Sequence, residues 1–157
     1  MMQQSDSDPP LASRAHAFLM GTPTGVAIRW TVALAIAATV WYFSVFSAPP
    51  SGSSTESLLA ALPAVLGFGP SQWRHVLAYA GLTYALAFAI RHWQYSRWQR
   101  AALVIVVAST YGLGIELVQS LTPDRVFDTT DILANTLGAT LVIPWYVIAS
   151  RVLPDET

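Results

Sequence analysis

The stretch GIELVQSLTPDRVFDTTDILANTLG, from Gly114 to Gly138, concentrates charge in a chain that otherwise contains little. The 157-residue chain is 54% hydrophobic and 11% charged, with a net charge of −1. Five of its 17 charged residues nevertheless fall within 16 positions: Glu116, Asp124, Arg125, Asp128 and Asp131. Because apolar runs flank this cluster on both sides, the stretch predicts a polar turn between two membrane helices.

The composition of the whole chain favours an integral membrane protein. Its mean hydropathy is +0.46. Its six Trp and six Tyr are typical of chains that meet two membrane–water interfaces. The absence of Cys excludes disulfides and thiolate metal sites, and the weak net charge without a basic patch excludes a nucleic-acid partner.

Four apolar segments predict an all-α bundle of four transmembrane helices. The segments are 26–46, 74–93, 101–121 and 131–153, and each has about the 20 residues that a span requires. Pro144 is expected to kink the fourth helix. The segment 57–68 contains Pro63 and is too short to span, so it predicts an interfacial or re-entrant piece. Residues 1–25 are expected to form a disordered cytoplasmic tail, which leaves 26–153 as the transmembrane domain.

The distribution of arginine predicts the orientation in the cell membrane. Arg91, Arg97 and Arg100 fall between the second and third segments, which assigns that connection to the cytoplasm. Arg14 and Arg29 precede the first apolar run and Arg151 ends the fourth. With four spans these ends also lie inside, so both termini are cytoplasmic. The loops 47–73 and 122–130 then face outside.

This topology predicts one polar cluster at the outer face, built from the start of the second helix, the end of the third and the start of the fourth. Residues three or four apart share a face of a helix, and ionisable groups at membrane depth are functional by default. The candidate catalytic residues are His75, Glu116, Arg125 and Asp131. The candidate substrate-binding residues are Tyr79, Gln119, Asp128 and Asn135.

Structural roles compete with these assignments. Asp128 in D-T-T-D is suited to cap a helix, with Asp131 in its first turn. Asn135 could serve only as a hydrogen-bonding group between helices. Gly138 with Ala134 forms a small-x-x-x-small pair, which favours close helix packing.

The order of these residues resembles the VanZ-like family of membrane proteins. The family pattern is a His with a Tyr four residues later, then E-x-x-Q, an Arg, and D-x-x-D-x-x-x-N-x-x-G. The chain carries it as His75 and Tyr79, Glu116 and Gln119, Arg125, then Asp128, Asp131, Asn135 and Gly138. The family often has an Asp-Lys pair before the His, where this chain has Ser71 and Gln72. The resemblance implies a small helical membrane bundle and a link to resistance against the glycopeptide antibiotic teicoplanin.

Three functions remain open at this stage. An enzyme would act on an amphipathic envelope molecule, lipid-linked or lipoglycopeptide-like, with His75 or Glu116 as general base and Arg125 clamping a phosphate or carboxylate. A binding protein would hold the same molecule without chemistry. A structural bundle would use the cluster only to lock its helices. No cofactor is expected, with a weak divalent-cation site at Asp128 and Asp131 as the alternative. Transport is disfavoured because the chain has no inverted repeat.

Overall fold

The computed structural model describes residues 13, 22–46, 54–62, 67–122 and 127–152. All regular secondary structure within these ranges is helical, and they contain no strand. The helices are α1 (Pro23–Val45), α2 (Ser54–Ala60), α3 (Pro70–Ala89), α4 (Arg97–Gln119), α5 (Thr129–Thr140) and α6 (Val142–Val152). The predicted all-α class is therefore confirmed.

Helices α1 and α4 start earlier than the apolar runs, and a polar residue caps each of them. Thr22 precedes α1, and its hydroxyl accepts a hydrogen bond from the N–H of Gly25 at 3.0 Å. Ser96 precedes α4, where its hydroxyl accepts from the N–H of Gln99 and its own N–H donates to the Gln99 side chain. Both arrangements satisfy N–H groups that have no partner within the helix.

Several predictions fall wholly or partly outside the described residues. Most of the predicted tail, 1–25, does so, but Pro23 to Gly25 already form the first turn of α1 and are not part of a disordered tail. Residues 63–66 of the predicted interfacial segment also lie outside, as does Arg125. The described part of 57–68 includes the end of the seven-residue helix α2, which is too short to span a membrane.

The predicted kink in the fourth segment is present as a break. Helix α5 ends at Thr140 and α6 begins at Val142, with Leu141 in a turn between them. Pro144 lacks an N–H group, so it cannot donate to the carbonyl of Thr140. The hydroxyl of Tyr84 on α3 donates to the carbonyl of Leu141 at 2.8 Å, which fixes the break against a neighbouring helix.

Three helical segments of the described chain are long and apolar enough to cross a membrane: Pro23–Val45, Arg97–Gln119 and Thr129–Ile148. Helix α3 has 20 residues but carries Gln72, Arg74 and His75 in its first two turns, which lowers its hydropathy. Large apolar side chains cover the outside of the bundle; Leu34 is 63% exposed and Val106 is 61% exposed. A surface this apolar is suited to lipid.

Small residues lie at several of the closest helix contacts, and the long helices that follow one another in the chain run antiparallel. Ala108, Ala134 and Ala139 are fully buried, as expected where membrane helices approach closely. The Gln119 amide near the end of α4 donates to the carbonyl of Ser44 near the end of α1 at 2.7 Å. The ends of α1 and α4 therefore lie together with the starts of α3 and α5.

Arg29, which the orientation argument counts as a cytoplasmic charge, is buried within the bundle. It lies within α1 and is only 1% exposed. Its guanidinium hydrogen-bonds the ring of His92 at 3.2 Å and lies over the ring of Phe88, 5.7 Å from its centroid. Arg29 therefore ties α1 to the end of α3 at the opposite end of the bundle from the predicted cluster.

Candidate functional site

Three helices bring the predicted polar residues together at one end of the bundle. One possible ligand atom from each of His75 (α3), Glu116 (α4) and Asp131 (α5) lies within 4.8 Å of the other two. Electrostatic interactions with Asp131, His75 and Asp128 all reach the carboxyl group of Glu116. Residues that are up to 56 positions apart in the chain therefore share one small volume.

His75 is held from both sides by side chains of α5. Its Nδ1 lies 2.8 Å from Oδ1 of Asn135, and its Nε2 lies 3.5 Å from Oδ2 of Asp131. An amide oxygen only accepts, so Nδ1 carries the hydrogen in this arrangement. The side chains of His75 and Asp131 are 17% and 18% exposed, so the cluster can be reached from the end of the bundle.

Glu116, Tyr79 and Asn135 are buried but incompletely hydrogen-bonded. Each is 1% exposed. The Glu116 Oε1, the Tyr79 hydroxyl and the Asn135 Nδ2 have no hydrogen-bond partner among the described residues. Buried polar groups are normally paired, because an unpaired one costs about 1–3 kcal/mol. Three such groups near one histidine make this cluster the candidate site.

Asp128 and Gln119 have structural contacts. The Oδ1 of Asp128 accepts from the N–H of Thr130 at 2.7 Å, so Asp128 is the N-cap of α5, as its sequence context predicts. Asp128 is not in the group that converges on a common point. The Gln119 amide bonds to α1. Substrate contacts by either residue remain predictions.

Gln72 belongs to the cluster, although it was noted only as a departure from the family pattern. Its Nε2 donates to Oδ1 of Asp131 at 3.0 Å, and its Oε1 accepts from the N–H of Gly69 at 3.1 Å. Its position three residues before His75 puts both on one face of α3. This three-residue spacing on α3 was the feature of the sequence that could have identified Gln72 as a member of the cluster.

Gly112 was also missed, and it allows α4 to approach the cluster. A Cβ at this position would lie 2.8 Å from Nδ2 of Asn135 and 3.0 Å from Cε1 of Tyr79. It precedes Glu116 by four residues, so it faces the same way. Only a residue without a side chain leaves room for both neighbours.

An apolar helical bundle with a polar cluster between three of its helices is the architecture of an α-helical membrane protein with a candidate site at one end. The chain belongs to the VanZ/LLP1 family, whose profile matches residues 30–150. This membership confirms the resemblance inferred from the motif. No curated protein and no solved structure gives a significant match.

Proposed function

We propose that this protein binds the polar headgroup of an amphipathic cell-envelope molecule in the cluster and acts on it by proton transfer. The observation that carries the proposal is the unpartnered, buried oxygen of Glu116 beside a histidine whose ring is fixed by Asn135. Together they provide two groups, each able to accept or release a proton, at a common point, which is what general acid–base chemistry requires.

The proposed placement has four spans, with α3 crossing the membrane as the second. Its 20 residues measure about 30 Å, enough for the hydrocarbon core. Arg91 lies between α3 and α4, and Arg97 and Arg100 lie in the first turn of α4; together they favour a cytoplasmic location for that end and for both termini. The cluster then lies at the outer face of the cell membrane, where lipid-linked and lipoglycopeptide molecules are accessible.

Arg125 is the proposed anion-binding residue of the same site. It lies in the connection between α4 and α5 in the sequence, and guanidinium groups bind phosphate and carboxylate in a bidentate manner. Teicoplanin-like lipoglycopeptides have an acyl chain and a polar body, so protection against them is the first activity to examine.

The test is susceptibility to teicoplanin in a wall-bearing bacterium that expresses the protein. Wild type is compared with Glu116→Gln and Arg125→Ala, and Glu56→Gln in helix α2 serves as the matched control. We expect both cluster variants to accumulate in the membrane at wild-type levels and to lose protection, while the control retains it.

The variants also separate the competing functions. A non-catalytic binder would keep most of its protection in Glu116→Gln, because the amide preserves the shape and polarity of the carboxyl group. A helix lock would instead show lower membrane levels of both variants. Full protection in both variants would contradict the proposed site.

A further inference from the structure

We infer that His75, Glu116 and Asp131 bind one divalent transition-metal ion of the Zn²⁺ class between α3, α4 and α5. The ligand set differs from the weak Asp128–Asp131 site that the sequence suggests, because it includes an imidazole and a fully buried carboxyl group. This inference deepens the proposed function and rests on it, since the ion would lie in the headgroup site. In the loaded protein the ion would occupy the lone pairs of His75 and Glu116, and a water at its open coordination position would take over the proton transfer.

The first step is the pair formed by His75 and Asp131. Because Nδ1 donates to Asn135, the Nε2 of a neutral ring presents its lone pair to Oδ2 of Asp131 at 3.5 Å. Two electron-rich atoms at this distance repel each other unless a proton or a metal ion lies between them. The spacing also fits a metal, because zinc–nitrogen and zinc–oxygen bonds of about 2.1 Å at a tetrahedral angle separate two ligand atoms by about 3.4 Å.

Glu116 supplies the third ligand from the opposite helix. One of its carboxylate oxygens is in the group of ligand atoms that converge within 4.8 Å, and its Oε1 is buried without a hydrogen-bond partner in the described part of the chain. A metal ion would satisfy this oxygen and remove the cost of burying it unpaired. This feature indicates a ligand independently of the His75–Asp131 geometry.

Hydrogen bonds behind the ligands match those of protein metal sites. Metal-binding histidines donate their other ring N–H to an oxygen, and metal-binding carboxylates are held through their second oxygen. Asn135 receives the Nδ1 hydrogen of His75. Gln72 holds Oδ1 of Asp131 at 3.0 Å and leaves Oδ2 directed at His75. Both ligands are thus oriented before an ion arrives.

The donor set selects the class of ion. One imidazole nitrogen and two carboxylate oxygens suit Zn²⁺ and its first-row neighbours, whereas Mg²⁺ and Ca²⁺ prefer oxygen alone. Three protein ligands leave a coordination position for water or a headgroup oxygen. A dication would also offset the two carboxylates, which would otherwise repel an anionic headgroup.

The test is zinc binding by the purified full-length chain. The protein is prepared in detergent with a histidine-free affinity tag, stripped with EDTA, reloaded with Zn²⁺ and separated by gel filtration. We expect elemental analysis by mass spectrometry to give about one zinc ion per chain. Competition with a chromophoric chelator should show that His75→Gln, Glu116→Gln and Asp131→Asn each weaken zinc binding more than about tenfold.

His92→Gln is the matched control, because His92 lies at the opposite end of the bundle beside Arg29. We expect it to bind zinc as wild type does. Wild type loaded with Co²⁺ adds a measurement that needs no variant, and the inference predicts the intense visible absorption of a four-coordinate site. A wild type that retains no zinc, a Co²⁺ spectrum without such absorption, or a His75→Gln variant with unchanged affinity would overturn it.

The two proposals fail in different ways. A wild type without zinc whose protection still depends on Glu116 would overturn the metal site and leave the proposed function standing. A zinc-binding wild type whose protection survives Glu116→Gln would overturn the proposed function alone.

Discussion

Glu116 and Gln119 are both buried on one face of α4, yet their polar atoms have opposite surroundings. The Gln119 amide donates to the carbonyl of Ser44 at 2.7 Å. The Oε1 of Glu116 has no partner among the described residues. Gln119 therefore contributes to holding two helices together, whereas burial of the Glu116 Oε1 is uncompensated in the absence of a ligand.

This contrast predicts effects of different size for the same substitution. Gln119→Leu should lower the free energy of unfolding by about 1–3 kcal/mol, because it leaves the Ser44 carbonyl without its bond. Glu116→Leu should lower it less, because the loss of the backbone hydrogen bond with Asp128 is offset by removal of a buried oxygen that has no partner among the described residues. Thermal unfolding in detergent with EDTA present measures both.

A melting temperature that falls equally in the two leucine variants would contradict this reading. It would mean that Glu116 has a structural partner of the same kind as Gln119, as the helix-lock hypothesis requires.

Sequence reasoning at the residue scale found the members of the cluster but not all of their contacts. The helical spacing of His75, Glu116 and Asp131 put each on a defined face, and the structure brings them together. Gln72 was not predicted as a member of the cluster, because the family motif has a different residue at its position. The burial of Arg29 was not predicted either. Its partner, His92, is 63 positions away, and a local sequence pattern cannot indicate such a distant pairing.

At the scale of helices, the approach of α3 to α5 positions His75 against its two partners. Gly138 allows this approach: a Cβ there would overlap the carbonyl oxygen of Val76. The small-x-x-x-small pair of Ala134 and Gly138 predicted close packing, and both residues are buried. The pair could not predict which helix packs against it, because small side chains allow a close approach by any helix.

The substitution Gly138→Ala tests this packing. We expect it to reduce stability by about 1–3 kcal/mol or more, since the contacted atom belongs to the backbone and cannot rotate away. Gly81→Ala on α3 is the matched control, because a Cβ at Gly81 meets nothing within 4 Å. The control should gain up to about 1 kcal/mol from helix propensity.

Melting temperatures and membrane levels of the two alanine variants give the comparison. A Gly138→Ala protein that is as stable as the Gly81→Ala control would refute the close contact between α3 and α5.

At the scale of the whole molecule, sequence alone predicted the helical class and the meeting of three helix ends. Lipid demands long apolar helices, and short connections make neighbouring helices antiparallel, so few arrangements were available. The break at Leu141 followed from Pro144. The sequence gives a weaker signal that α3 spans the membrane. The polar residues at its start build the cluster and also lower the hydropathy of the helix.

The function proposed for this protein depends on the polar cluster opening to the outer face of the membrane. That placement requires α3 to cross, so the connection between α3 and α4 must lie on the other side from the end of α4. The chain contains no Cys, so a single introduced cysteine reports its own location without interference. Gln94 and Thr122 are exposed at these two places.

The decisive measurement is labelling of Gln94→Cys and Thr122→Cys in intact cells with a membrane-impermeant thiol reagent. The account predicts that the cysteine at 122 reacts from outside, while the cysteine at 94 reacts only after the membrane is permeabilised. Labelling of both positions from outside, or of 94 alone, would contradict an outward-facing cluster carried by four spans.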